Sequence, residues 1–216
     1  MTDSPAGDRG HRNFDLVAPT CYSFMSLAPW RSPLARALHR NRSRADSRYP
    51  QLATVRPDGR PANRTVVFRD FWADTNRLLF VTDARSDKLH HIEQHRGAAL
   101  CWYFTQTREQ FRLGGELQAL TADSDMAAAM PIRRDLWHRL SDNARQQFAW
   151  PSPGQPRMTT GYEPTDLSES EPLDTVAVLV FDPDTGDHLV LKGTPQNRWQ
   201  YCRQPDHSWQ MIEVNP

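Results

Sequence analysis

The stretch that most constrains this chain runs from Arg64 to Lys88, RTVVFRDFWADTNRLLFVTDARSDK. Side chains alternate across Arg64-Thr65-Val66-Val67-Phe68 with the period of two that a strand requires. Ala73-Asp74-Thr75-Asn76 supplies turn residues, and Leu78-Leu79-Phe80-Val81-Thr82 returns as a second apolar strand. Ser86 stands where it can cap a helix over residues 87–93, with Leu89 and Ile92 on one face. This unit leaves Arg64, Thr82, Arg85, Ser86, Lys88 and the open amides of the helix start without an obvious use. Cations, hydroxyls and free N–H groups meeting where a strand passes into a helix form an anion site, most naturally for a phosphate. The plainer readings are a barrel-edge salt bridge for Arg64 and a simple helix cap for Ser86.

The flanking sequence repeats the strand-and-turn pattern. Tyr49 to Val55 reads as a first strand, Asp58-Gly59 as the tip of a hairpin turn, and Ala62 to Phe71 as the second strand. Residues 98–104, AALCWYF, are apolar on both faces and predict a central strand covered on both sides. A long strand follows over Arg108 to Leu120, and Gly114-Gly115 inside it predicts a bulge or bend. Further on come a buried strand from Asp174 to Phe181, a turn over Pro183 to Gly186, and another strand from His188 to Leu191. Arg198 to Tyr201 and Trp209 to Ile212 close the chain as a hairpin. Short hairpins with one inserted helix describe a small antiparallel barrel, and no GxGxxG follows any strand to support a dinucleotide-binding fold. The expected class is mainly β with α (α+β), one domain over residues 1–216.

Two further helices flank this barrel. Ser32-Pro33 is a good helix start, and Leu34, Ala37 and Leu38 form its apolar stripe. Residues 123–148 read as helical with an interruption at Pro131, Leu136, Trp137 and Leu140 packing on the barrel. Residues 1–28 are expected to form an arm and 150–172 a long loop, since Trp150-Pro151-Ser152-Pro153-Gly154 cannot be regular structure.

Charge excludes little globally, because 26 basic and 26 acidic residues balance. Arginines crowd residues 31–48, yet a solvated helix face accounts for them better than nucleic acid does. Lys88 and Lys192 are the only lysines in a chain that otherwise uses arginine. Cys21, Cys101 and Cys202 form no CxxC pair, and Cys101 in its apolar run is expected to be a buried thiol, which suits a reducing cytoplasm. The apolar runs are too short for a membrane helix, so a soluble protein is expected. His91 and His95 lie one helical turn apart without a third ligand, which reads as a solvated pair and not as a metal site.

Taken in order, RTVVFR (64–69), LFVTDARSDKLHHIE (79–93), ALCWYF with REQFRLGGELQAL (99–120) and NRWQY…DHSWQMIEVNP (197–216) resemble the pyridoxamine 5'-phosphate oxidase-like FMN-binding split barrels, in particular their cyanobacterial-type branch. The resemblance implies an antiparallel split β-barrel with flanking helices, FMN as cofactor, and a homodimer with FMN in its interface. It implies that Arg64 holds the FMN phosphate, that Thr65, Val66, Val67, Phe68 and Arg69 lie along the ring system, and that Val81, Thr82, Ser86 and Lys88 form the phosphate-side loop. Gln110 matches a glutamine that hydrogen-bonds the isoalloxazine, and Arg198 an arginine that reaches the cofactor from the second subunit. Arg134, Trp137 and Trp150 fall where the family's substrate contacts lie.

Departures from the family concentrate on the substrate side. An Arg-x-His pair that grips the phosphorylated substrate is replaced by Leu189 and Leu191, which offer no donors. Asp182 stands for an aromatic, Val81 for a tyrosine, and Asp87 for a phosphate-side arginine, for which Arg85 is the available substitute. Oxidation of pyridoxamine phosphate is therefore not the expected activity. Two classes of function follow: an FMN-dependent oxidoreductase on a small, less charged substrate, or a flavin-binding module without turnover.

Overall fold

In the computed structural model, which describes residues 27–216, nine strands hydrogen-bond into one antiparallel sheet. Its edges are β2 (Pro61–Thr65) and β3 (Phe68–Phe71). Between them lie, in order, β1 (Gln51–Val55), β5 (Gly97–Phe104), β6 (Glu109–Leu120), β7 (Val176–Val190) and β4 (Leu78–Asp83). Only Val66 and Val67 join the two edge strands, and such a link spans roughly 11 Å at most. The sheet must therefore curl until its edges nearly meet, which makes it a barrel. The single strand expected over 62–71 breaks at these residues because the chain there leaves one edge for the other. Val66 and Phe68 both turn into the core.

β7 carries the split. One side pairs with β6 along its length, whereas the other meets β4 through residues 176–181 and β8 (Asn197–Arg203) through 185–190. β9 (Trp209–Val214) then extends β8. The turn expected at Pro183 to Gly186 is instead a bulge within one continuous strand. Gly114 faces Thr185 and Gly115 faces Pro183, which leaves Asp184 unpaired. A Cβ on Gly115 would overlap the Asp182 carbonyl oxygen and lie 2.7 Å from Pro183 Cα, so only glycine admits this approach. The bulge expected at Gly114-Gly115 is present for this reason.

The barrel interior holds an aromatic core that includes Phe68, Phe80, Trp102, Phe104 and Phe111. On the outside, α3 (Ala129–His138) covers β4 and the first half of β7 through Leu136 and Trp137. The strand apolar on both faces is thus β7. β5 alternates, with Leu100, Trp102 and Phe104 inward and Cys101 and Tyr103 exposed, because among the described residues no helix lies over its outer side. Cys101 is accordingly an exposed thiol and not the buried one expected. α3 starts only at Ala129, so Pro131 falls in its first turn, where a missing N–H costs nothing. The interruption comes instead after His138, before α4 (Asp142–Gln146).

α1 (Arg31–Arg40) buries Leu34 and Ala37 and begins ahead of the expected Ser32 cap. Residues 1–26 of the expected arm lie outside the described residues. Ala28 is buried and its amide donates to Asn76 Oδ1 at 2.8 Å. The 150–172 segment contains no helix or strand, yet the body holds it: Trp137 Nε1 donates to the Ser168 carbonyl (2.9 Å) and Gln146 Nε2 to that of Thr165 (2.7 Å).

Candidate cofactor site

β1, β2, β4 and α2 (Asp87–Gln94) bring the anion-site residues together at one end of the barrel. Arg64 on β2 opposes Leu52 on β1, and its Nη1 donates to the Leu52 carbonyl (3.2 Å) and to Thr54 Oγ1 (2.8 Å). Lys88 Nζ donates to Thr82 Oγ1 (2.8 Å) and to Ser86 Oγ (2.7 Å). Ser86 occupies the N-cap position of α2, but its hydroxyl donates back to the Asp83 carbonyl at 2.6 Å and caps nothing. The first amides of α2 therefore have no side-chain cap.

Charge accumulates here, offset only in part by Asp83 and Asp87. Burial, and then Arg64, push the Lys88 ammonium down to about 8. Burial is also the main reason the Arg64 guanidinium sits below its ordinary value, with Arg56 adding to the effect. Among the described residues neither Arg64 nor Lys88 has a carboxylate at ion-pair distance; their hydrogen-bond partners are hydroxyls and a carbonyl. Asp87, the acid nearest in sequence, is exposed on the first turn of α2. Cations held by neutral partners beside uncapped helix amides are an arrangement that an anion completes.

Along the rest of the motif, Phe68 points into the core and Val66 is buried, so the backbone and the side chains of Thr65, Val67 and Arg69 are what it can offer a ligand. Thr65 is exposed and shares a hydrogen bond with Gln51. Arg69 Nε is a buried donor without an acceptor among the described residues, a defect that costs about 1–3 kcal/mol unless a ligand supplies one. Val81 packs outward against the α3 side.

Gln110 and Arg198 lie on a different face from Arg64. Residues directly opposed in a sheet share a face, and Leu52, opposite Arg64, is also opposite inward-facing Leu100. Gln110 instead stands in a row with exposed Tyr103, with Leu189 and with Arg198. Its strand neighbour Phe111 points inward, so Gln110 points outward. Arg198 is gripped on this outer face by Asp187, at 2.7 Å and 3.0 Å, and Arg112 joins the same carboxylate at 2.8 Å. Next to this row the outer face carries a shallow depression of about 390 Å³ that includes Gln51, Ala53, Cys101 and Gly114. One copy of the chain cannot gather all the expected cofactor residues on one surface.

The remaining expected residues separate. Trp137 is fully buried, edge-on to Phe148, and works as a core side chain. Arg134 is exposed and paired with Glu171 at 3.0 Å. Trp150 is half-exposed against Tyr162, and its carbonyl accepts from Arg85 Nη1 at 3.0 Å. That contact and the bonds from Arg85 to Asp83, 2.7 Å and 2.9 Å, commit the Arg85 guanidinium to partners within the chain, unlike Arg64 and Lys88, whose partners are neutral. Asp182 is clamped between Arg77 and Arg203 at 3.0 Å and 2.8 Å. His91 is not solvated: it is buried with Nδ1 3.0 Å from Thr54 Oγ1. No sequence signal marked Thr54, since its partners lie 10 and 37 residues away.

These residues suit FMN in two respects: a dianionic terminus completes the cationic end, and a ring rich in acceptors answers the orphaned Arg69 donor. Comparison with known proteins points the same way. Residues 27–121 match the family model described as "Pyridoxamine 5'-phosphate oxidase, FMN-binding domain". A relative from Arabidopsis thaliana, pyridoxine/pyridoxamine 5'-phosphate oxidase 2, is 34% identical over 168 residues, 77% of this chain and 85% of that protein. The crystal structure of a pyridoxamine 5'-phosphate oxidase-related, FMN binding protein from Nostoc punctiforme PCC 73102 is 50% identical, with a TM-score of 0.85 over 88% of this chain and 100% of that one. PhzG from Burkholderia lata 383, solved with tetrahydrophenazine-1-carboxylic acid, is 16% identical with a TM-score of 0.70 over 86% and 91% of the two chains, a likeness of fold alone.

Proposed function

The chain belongs to the pyridoxamine 5'-phosphate oxidase-like family of FMN-binding proteins, and we propose that it is an FMN-dependent oxidoreductase acting on a small molecule as a homodimer. The observation that carries this reading is the end of the barrel where Arg64 and Lys88 are held by neutral partners only. Arg64, Lys88, Thr82, Ser86 and the α2 amides bind the phosphate, and the backbone of 65–69 with Arg69 lies along the ring. FMN, when bound, supplies the redox chemistry: it takes a hydride from a donor carbon and passes the electrons to oxygen or another acceptor.

The opposite facing of Arg64 and Gln110 supports the dimer. In a dimer whose second copy supplies Gln110 and Arg198 to the first copy's Arg64, each site is built from two chains. Leu189 shares the row of Gln110 and Arg198. A leucine between those polar groups favours a substrate without a phosphate at that point, unlike pyridoxamine phosphate.

The test is direct. Purified protein should be yellow or turn yellow with FMN, at one FMN per chain, and sediment as a dimer. Anaerobic mixing with NAD(P)H and with a panel of amines should bleach the visible absorption of the flavin with at least one donor. No bleaching with any donor would replace the oxidoreductase by a flavin-holding module, and colourless protein that gains no FMN would end both.

A further inference from the structure

His91 is a buried histidine with an assigned partner and no part in the site described above. Its Nδ1 lies 3.0 Å from Thr54 Oγ1, and the same hydroxyl lies 2.8 Å from Arg64 Nη1. Thr54 is itself 2% exposed, so water does not compete for that oxygen. A guanidinium only donates, so the Thr54 oxygen accepts from Arg64, and its one proton is left for His91. Among the described residues His91 Nδ1 is the one acceptor within reach of that proton, so the arrangement that satisfies Thr54 has His91 presenting its lone pair at Nδ1 and carrying its ring proton on Nε2. The groups facing the imidazole favour this neutral form. Burial, then Arg64 from β2, hold it below its ordinary value, with Arg56 and His90 adding to them and Asp87 opposing.

We infer that His91 is a positioning residue for Arg64, acting through the hydroxyl of Thr54. A guanidinium on an edge strand has several torsions to freeze before it can meet an anion. The His91–Thr54–Arg64 chain freezes them during folding, with Nη1 committed to Thr54 and the Leu52 carbonyl, so the remaining N–H groups face the ligand at less entropic cost. This rests on the reading of Arg64 as the phosphate ligand, and it extends the site one layer inward.

The experiment uses the full chain and two ligands that differ only in the phosphate, FMN and riboflavin, with dissociation constants from flavin fluorescence. Arg64→Ala should cut the preference for FMN by roughly 10- to 150-fold. Thr54→Val, which keeps the shape of a buried strand residue, and His91→Leu should each cut it by roughly 2- to 12-fold with riboflavin unchanged, the worth of a neutral hydrogen bond. His91→Asn, whose amide oxygen can take the Thr54 proton, should recover most of the loss. Adding Thr54→Val to Arg64→Ala should cost nothing more, since both act on one interaction. An effect of Arg64→Ala with none from Thr54→Val overturns the positioning role alone. Equal weakening of both ligands by Thr54→Val makes the trio a packing feature and overturns it too. No effect of Arg64→Ala removes the phosphate reading and the inference with it.

Discussion

Replacing Lys88 by methionine should make the flavin-free protein more stable and weaken its hold on FMN. The ammonium is pushed from its ordinary 10.5 to about 8, first by burial and then by Arg64. Between those values the unfolded chain keeps a proton that the folded chain has released, so stability rises with pH across that window. At pH 7 both states are charged and the folded state carries the whole cost. At about 1.4 kcal/mol per tenfold this is about 3 kcal/mol, and it falls to about 1–3 kcal/mol once partial solvent access is allowed for. Methionine keeps most of the stem's packing and removes the charge. A bound phosphate acts oppositely, because it holds the proton on Lys88. FMN affinity of the wild type should therefore fall as pH rises above about 8, by up to about tenfold per pH unit, while riboflavin affinity stays level. Urea unfolding of the two flavin-free proteins at pH 7 and 9, with flavin titrations from pH 7 to 9.5 (a range set by the shift above), measures both effects. A methionine variant less stable than wild type at pH 7, together with FMN binding flat in pH, would refute the account of Lys88 as a cation held in tension for an anion.

Three other outcomes follow from the fold. Chains carrying Arg64→Ala, mixed with chains carrying Arg198→Ala, should form heterodimers with one intact FMN site, so with random pairing into two-fold dimers flavin content recovers toward about a quarter of the sites; no recovery would mean that the two arginines do not serve one site across two chains. Trp137→Ala should destabilise the protein by about 3–5 kcal/mol, the usual cost of a large core truncation, seen as a lower urea midpoint, and a change confined to substrate KM would contradict its core position. Gly115→Ala should cost at least about 1–3 kcal/mol, because the new methyl has no room against Asp182 and Pro183; a melting temperature equal to wild type would show that the bulge can rearrange.

Much of the candidate site was readable in advance because its parts are local. Arg64, Thr82, Ser86 and Lys88 fall within 25 residues of chain, and strand period, turn residues and a helix start sufficed to gather them. Errors arose where a partner from elsewhere decides. ALCWYF is apolar throughout, yet whether its outer face is covered depends on where α3 lands, which no residue of that run encodes. Pro183 to Gly186 has turn composition, but β6 pairs with it on both flanks and two glycines opposite make room for a bulge. Arg85 has the charge to face a phosphate, and Asp83 together with the 148–150 backbone takes it away. His91 looks solvated on a polar helix until the barrel end closes over it.

What the amino-acid order determined by itself was the kind of element at each place and the presence of cations beside a helix start, since these rest on neighbours a few residues apart. Tertiary structure alone decided sidedness: that Arg64 turns toward the barrel end while Gln110 and Arg198 turn outward. Sidedness depends on register, and register is set across strands from distant parts of the chain, where one extra residue at a bulge reverses every face beyond it.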